Sequence, residues 1–278
     1  MDYTAQQHST NLYFQPEIKE NEINKNSLVF TFIGTKLLLM ECKIPLYKSI
    51  QRMNLNINYQ KYIGMIDNIS CFALDINFDE RIIPSAKLVS LRQLYSLLPE
   101  SKLKAALYGF QIILWNKKNI YCGRCGSHTE ERLPDILVKH CPKCNEEYYP
   151  KISPSVIVAV VKKDKILLAL HKRVTNGMYT VLAGFVNPGE SLEECIHREI
   201  KEEANIEITN IRYFGSQPWP FPDSLMIGFI ADYSSGELKP EKEEISDLKW
   251  FKSNEIPEWP DKVSIARALI DNFIENNI

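Results

Sequence analysis

Residues 184–206, GFVNPGESLEECIHREIKEEANI, constrain this chain more than any other stretch, because a glycine turn is followed at fixed offsets by glutamates and an arginine. Pro188-Gly189 marks a turn. Ser191, with Glu194 three residues on, reads as a capping box opening a helix through about Ala204. On that helix Glu199, Glu202 and Glu203 stand at i, i+3 and i+4 and project from one face over about one turn. Leu192, Cys195, Ile196 and Ile200 form the opposite, buried face. Like charges gathered this way oppose folding without a counterion, and oxygen-only ligands suit Mg2+ or Mn2+. A solvated face is the ordinary explanation of a glutamate-rich helix. The coincident offsets of Gly184, Glu190 and Arg198 favour the metal. Asn205, where the helix ends, suits a left-handed cap.

A second metal is written in the cysteines. Cys122-x2-Cys125 and Cys141-x2-Cys144 are separated by fifteen residues, the spacing of a zinc ribbon. Gly123, Gly126 and Pro142 allow the tight turns that aim thiolates at one ion, and four thiolates close a tetrahedral structural Zn2+ site. A pair of redox-active dithiols is the alternative, but such pairs come singly at the start of a helix. His140 adjoins Cys141 and reads as a bystander. Cys42, Cys71 and Cys195 lie in apolar surroundings and read as small buried hydrophobes.

With 278 residues, 45% of them hydrophobic, the chain has enough material for two domains with real cores. A net charge of −2 argues against a surface given over wholly to nucleic acid. No apolar run reaches a membrane span, and the polar start lacks a signal-peptide layout, so the expectation is a soluble, cytoplasmic protein with no membrane partner. Strand-like runs appear at Leu28–Ile33, Lys36–Glu41 and Ser70–Ile76. A helical stretch covers Leu88–Trp115 with a break at Pro99. Further strands are expected at Val156–Val161, Lys165–Leu170, Thr180–Phe185, Ile211–Ser216, Ser224–Tyr233 and Leu248–Phe251, and a closing helix at Val263–Glu275. Ser216–Ser224, SQPWPFPDS, alternates prolines with aromatics and reads as a stiffened loop suited to stacking on flat ligands.

Gly184, Glu190, Arg198, Glu199, Glu202 and Glu203 resemble the Nudix box. With the ribbon and the proline–aromatic motif in this order, residues 88–278 resemble the NADH pyrophosphatase and NAD-capped RNA hydrolase family of Nudix hydrolases. The resemblance implies an α+β protein: a β-rich N-terminal domain ending in helices (1–115), a zinc ribbon (116–150) and a Nudix α/β/α sandwich with a mixed sheet (151–278). It implies Glu199, Glu203, Glu244 and the carbonyl of Ala183 as Mg2+ or Mn2+ ligands, with Glu202 sharing or supporting them. Glu241 and Glu243 leave the register of Glu244 open. The dinucleotide would be lined by Tyr149, Gln217, Pro218, Trp219, Pro220, Phe221, Pro222, Asp223, Ser224 and Ala266, although Tyr149 also reads as a packing tyrosine. Glu190 and Arg198 would brace loop against helix. The implied reaction splits NADH or NAD+ into nicotinamide mononucleotide and AMP, and the same bond in NAD-capped RNA, with Glu202 or Glu203 as base in a homodimer. The family's Trp-His pair before the ribbon is Trp115-Asn116 here. Arg124, Arg132, Lys139, Lys143 and Lys151 either guide an RNA backbone or are solvated surface.

Overall fold

The computed structural model describes residues 13–77, 86–132, 137–172, 177–257, 260 and 263–277. The chain forms two compact units, one built on Ser9–Lys151 and the other on Ile152–Ile278. Among the described residues no helix is long and apolar enough to cross a membrane.

In the first unit, β1 (Phe14–Pro16), β2 (Leu28–Ile33), β3 (Lys36–Met40), β4 (Ile57–Ile66), β5 (Ile69–Ile76) and β6 (Ala86–Ser90) make a six-stranded sheet in the order β1-β4-β5-β2-β3-β6. Only β2 and β5 run parallel. The short α1 (Tyr47–Gln51) buries Ile50 with Val29, Leu38, Phe72 and Leu74. α2 (Leu91–Leu97) and α3 (Glu100–Lys118) follow. The expected helical onset at Leu88 is corrected: Leu88 pairs with Leu38 across β6 and β3. The helix begins after Ser90, whose capping box with Gln93 marks the start. Cys42 is also corrected. It is exposed, and Glu41 and Cys42 both have positive φ at the tip of a tight turn closed by Met40 and Lys43. Cys71 and Cys195 are buried as expected.

The ribbon follows α3 with three two-residue strands, β7 (Glu130–Glu131), β8 (Lys139–His140) and β9 (Glu147–Tyr148). Partly buried polar contacts attach it to its neighbours in the same unit. Glu131 accepts from the Tyr59 hydroxyl at 2.6 Å and from Lys61 Nζ at 2.5 Å. Trp115 Nε1 donates to the Tyr148 carbonyl at 3.0 Å. Lys139 is buried and donates to Asn116 Oδ1 at 2.8 Å, which gives the residue after Trp115 a task.

The second unit is a mixed sheet between two helices. Its strands are β10 (Ser153–Lys162), β11 (Lys165–His171), β12 (Leu182–Phe185), β13 (Ile206–Trp219), β14 (Ser224–Gly236) and β15 (Ile245–Lys252), in the order β13-β14-β10-β11-β15 with β12 beside β10. β10 runs parallel to β14 and antiparallel to β11 and β12. Alternation along β10 feeds two cores: Val156, Val158 and Val160 pack with α4 (Leu192–Ala204), and Ile157 and Ala159 with α5 (Ile265–Glu275). The sheet is thus covered on both faces, the sandwich expected of this part of the chain.

Candidate active site

The four cysteine sulfurs lie within 4.8 Å of one another. Cys122 and Cys144 are 3.5 Å apart and Cys125 and Cys141 3.4 Å, each pair taking one sulfur from each knuckle. These separations are too long for disulfides and near the roughly 3.8 Å between thiolates tetrahedral about one zinc. Each knuckle closes on a left-handed residue: Gly126 N–H reaches Cys122 O at 2.8 Å, and Asn145 N–H reaches Cys141 O at 2.9 Å. Tyr148, which the spacing did not single out, donates its hydroxyl to Cys122 Sγ at 3.1 Å and accepts from Gly123 N–H at 2.8 Å. That hydroxyl is the foremost reason the Cys122 thiol falls to about 6, poised to bind as thiolate. His140 stands outside the cluster. The basic tract expected nearby is mostly spoken for: Lys139 is buried, Arg132 pairs with Glu147 at 2.6 Å, and Arg124 lies 3.7 Å from Glu146. Lys143 and Lys151 are exposed. Tyr149 is 57% exposed, and its hydroxyl donates to Glu147 at 2.8 Å.

In the second unit, α4 is set by its ends. Ser191 Oγ accepts from Glu194 N–H at 3.2 Å while the Glu194 carboxylate accepts from Ser191 N–H at 2.8 Å. Asn205 caps the far end at φ 59°. Between them Arg198 is a hub. It donates to Glu190 at 2.6 and 2.9 Å, Glu199 at 2.8 Å, Glu202 at 3.0 Å and the Phe185 carbonyl at 3.0 Å. This arginine, foremost, holds the Glu190 carboxyl down at about 2. Loop and helix are thereby locked together, the bracing expected of the pair.

Gly184 lies in β12 beside Ala183, opposite Val156 and Ile157 of β10. A Cβ at Gly184 would fall 1.8 Å from Glu199 Cδ, so the glutamate lies against bare backbone. Gly184→Ala is expected to push Glu199 out of place and cut kcat/KM by about 100-fold with an unchanged circular dichroism spectrum. Near-native turnover would mean that this approach is incidental.

Glu203 is buried, 7% exposed, and its Oε2 has no hydrogen-bond partner. Burial first, then the charges of Glu199, Glu244, Glu202 and Glu241, push its carboxyl up to about 8. An unpartnered buried oxygen ringed by negative charge fits a cation. The carboxylates do not close up as the thiolates do: among the described residues only the cysteines form a group within 4.8 Å. Of Glu241, Glu243 and Glu244, Glu241 has its carboxylate turned onto the backbone N–H groups of the other two.

The proline–aromatic stretch is a strand end and hairpin turn rather than a loop. β13 continues through Gln217, Pro218 and Trp219, paired with Met226, Leu225 and Ser224 of β14. Pro218 is tolerated because β13 is an edge strand. Pro220 is buried, Pro222 is exposed after a cis bond, and the Trp219 and Phe221 rings meet edge-on at 4.9 Å. Asp223 and Ser224 are buried, and Asp223 accepts from Ser153 Oγ at 2.9 Å. Gln217 is buried with both ends of its amide engaged on the start of α5, donating to Val263 O at 2.7 Å and accepting from Ile265 N–H at 2.8 Å. Ala266, next in that helix, is 8% exposed and packs into the core on that face.

Residues 151–273 match the NUDIX domain, and residues 117–149 match the NADH pyrophosphatase zinc ribbon domain. The chain is 41% identical over 247 residues to the NAD-capped RNA hydrolase NudC of Vibrio vulnificus (strain CMCP6), covering 87% of this chain and 91% of that one. It is 40% identical over 255 residues to the NudC of Vibrio cholerae, covering 92% and 93%. To that of Stutzerimonas stutzeri (strain A1501) it is 38% identical over 231 residues, 82% of each chain. Relatives so similar over so much of their length, together with the two domain matches, place this chain in the family of Nudix hydrolases that carries the NADH pyrophosphatase zinc ribbon.

Proposed function

We propose that the chain hydrolyses the diphosphate of NADH and NAD+ to nicotinamide mononucleotide and AMP, and cleaves the same bond in NAD-capped RNA to leave a 5′-monophosphate. The observation that carries this reading is the buried, unpartnered Glu203 oxygen, its carboxyl raised in pKa by burial and by the negative charges of Glu199, Glu244, Glu202 and Glu241. The names of the relatives attach NAD-cap hydrolysis to those proteins, and we extend it to this one.

Glu199, Glu203, Glu244 and the carbonyl of Ala183 would hold the divalent ion, and an all-oxygen donor set selects Mg2+ or Mn2+. A bound divalent ion supplies neutralisation of the diphosphate and a more acidic water. The rest falls to the chain. Arg198 keeps Glu199 and Glu202 on the same side of α4. Glu202, with a side chain 57% exposed, faces the solvent from which water arrives, whereas Glu203 is enclosed. One of these two accepts the proton, and separate Gln substitutions tell them apart. Trp219 and Phe221 offer the flat surface for a base or nicotinamide ring. Water adds to one phosphorus, the bridging P–O bond breaks, and each product leaves with one phosphate. By likeness to the family we take the active form to be a homodimer in the cytoplasm.

The test is product analysis on NADH, ADP-ribose and NAD-capped RNA in parallel, with Mg2+ or Mn2+. Nicotinamide mononucleotide plus AMP from NADH is the expected result. Turnover of ADP-ribose alone would move the chain to another Nudix specificity.

A further inference from the structure

Three glutamates crowd the segment before β15, and the structure gives two of them different tasks. Glu244 is exposed and immediately precedes β15. Glu241 turns its carboxylate back on its own turn. It accepts from Glu243 N–H at 2.9 Å through both oxygens and from Glu244 N–H at 2.7 Å. Its backbone N–H donates to the Glu203 carbonyl at 3.1 Å, and its carbonyl accepts from Ile245 N–H at 3.0 Å. Glu241 therefore ties together the last turn of α4, the turn 241–244 and the first residue of β15. From the other side, Lys172 N–H donates to the Glu244 carbonyl at 2.8 Å, and Lys172 Nζ donates to the Lys242 carbonyl. The backbone of Glu244 is thus held at its N–H by Glu241 and at its carbonyl by Lys172.

We propose that Glu241 is a positioning residue: it fixes the turn that brings the Glu244 carboxylate to the same cation as Glu203, and it is not itself a ligand. The proposal rests on reading Glu203 and Glu244 as ligands. Its chemistry is specific, because two converging N–H groups need an oxygen acceptor at that point, and an amide oxygen meets the need while a methyl group does not.

The test is direct Mn2+ binding, read by electron paramagnetic resonance of the free ion, to the full zinc-loaded chain without substrate. Glu241→Ala is expected to raise the Kd about 10-fold, and Glu241→Gln is expected to recover most of that loss. In a Glu244→Ala background, Glu241→Ala should add nothing, since it acts only through Glu244. Equal losses in the Ala and Gln variants that persist without Glu244 would make Glu241 a ligand and overturn the proposal. An unchanged Kd in Glu241→Ala, with Glu244→Ala weakened, would overturn the positioning role alone. Unchanged binding in Glu244→Ala would instead overturn the ligand reading on which the proposal stands.

Discussion

Glu203→Gln is expected to make the protein more stable and inactive at the same time. The Glu203 carboxyl is buried among negative charges and raised from its ordinary 4.5 to about 8. In the unfolded chain it ionises near 4.5, so without a cation the folded state is penalised as pH rises. Below about pH 4.5 the group is neutral in both states and the penalty is absent. It grows between 4.5 and 8 and is complete above 8, where it amounts to roughly 3–5 kcal/mol. Glutamine removes the charge and keeps the volume. With zinc bound but no Mg2+ or Mn2+ added, the variant should melt several degrees above the native protein at pH 8.5, and the gap should close by pH 4.5. Adding Mg2+ at pH 8.5 should raise the native protein's Tm and leave the variant's nearly unchanged, because binding to the folded state alone stabilises it. Turnover of NADH should fall by about 1,000-fold or more. Melting curves across pH, with and without Mg2+, check the stability arm. A variant no more stable than the native protein at pH 8.5 would mean that the carboxylate already has a partner, and the metal reading would lose its main support.

The acidic helix was legible in the sequence because every signal that defines it is local. Ser191 and Glu194 cap each other three residues apart, Cys195, Ile196 and Ile200 recur at helical spacing, and Asn205 ends the run in the left-handed region. The cysteine knuckles were legible for the same reason. β4 was not. Its first half alternates Ile57, Asn58, Tyr59, Gln60 and Lys61, and the polar ends of Tyr59 and Lys61 are satisfied by Glu131, some seventy residues away. Leu88 lies in a short apolar run that does not reveal its period, and its pairing with Leu38 makes it a strand residue. Lys139 reads as basic surface in the sequence, yet it is buried and Asn116 supplies its acceptor. Gln217 sits in a motif that is easy to recognise, yet its amide is spent on Val263 and Ile265. The identity of these residues was readable, whereas their partners depend on the tertiary fold.

The ribbon should unfold when its metal is withdrawn, while the sheet of the second unit holds. Its three strands are two residues each, far below the length at which strand pairing stands alone in water. Cys122 and Cys141 are buried, and they belong to the only thiol cluster among the described residues. Zinc held by four thiolates contributes on the order of 10–16 kcal/mol to folding small domains of this kind, more than these few strand contacts supply. Chelation, or Cys141→Ser, should therefore release β7 to β9 and with them the anchors on Glu131, Asn116 and the Tyr148 carbonyl. Hydrogen–deuterium exchange is expected to rise across 117–149 and, less strongly, in β4, where Tyr59 and Lys61 lose their acceptor. Val156 to Val160 should stay protected, because their burial comes from α4 and α5. Metal analysis should find one zinc per chain in the native protein and little in the variant. A chain stripped of zinc that still protects the ribbon amides would show that side-chain packing, not the ion, holds the knuckles together.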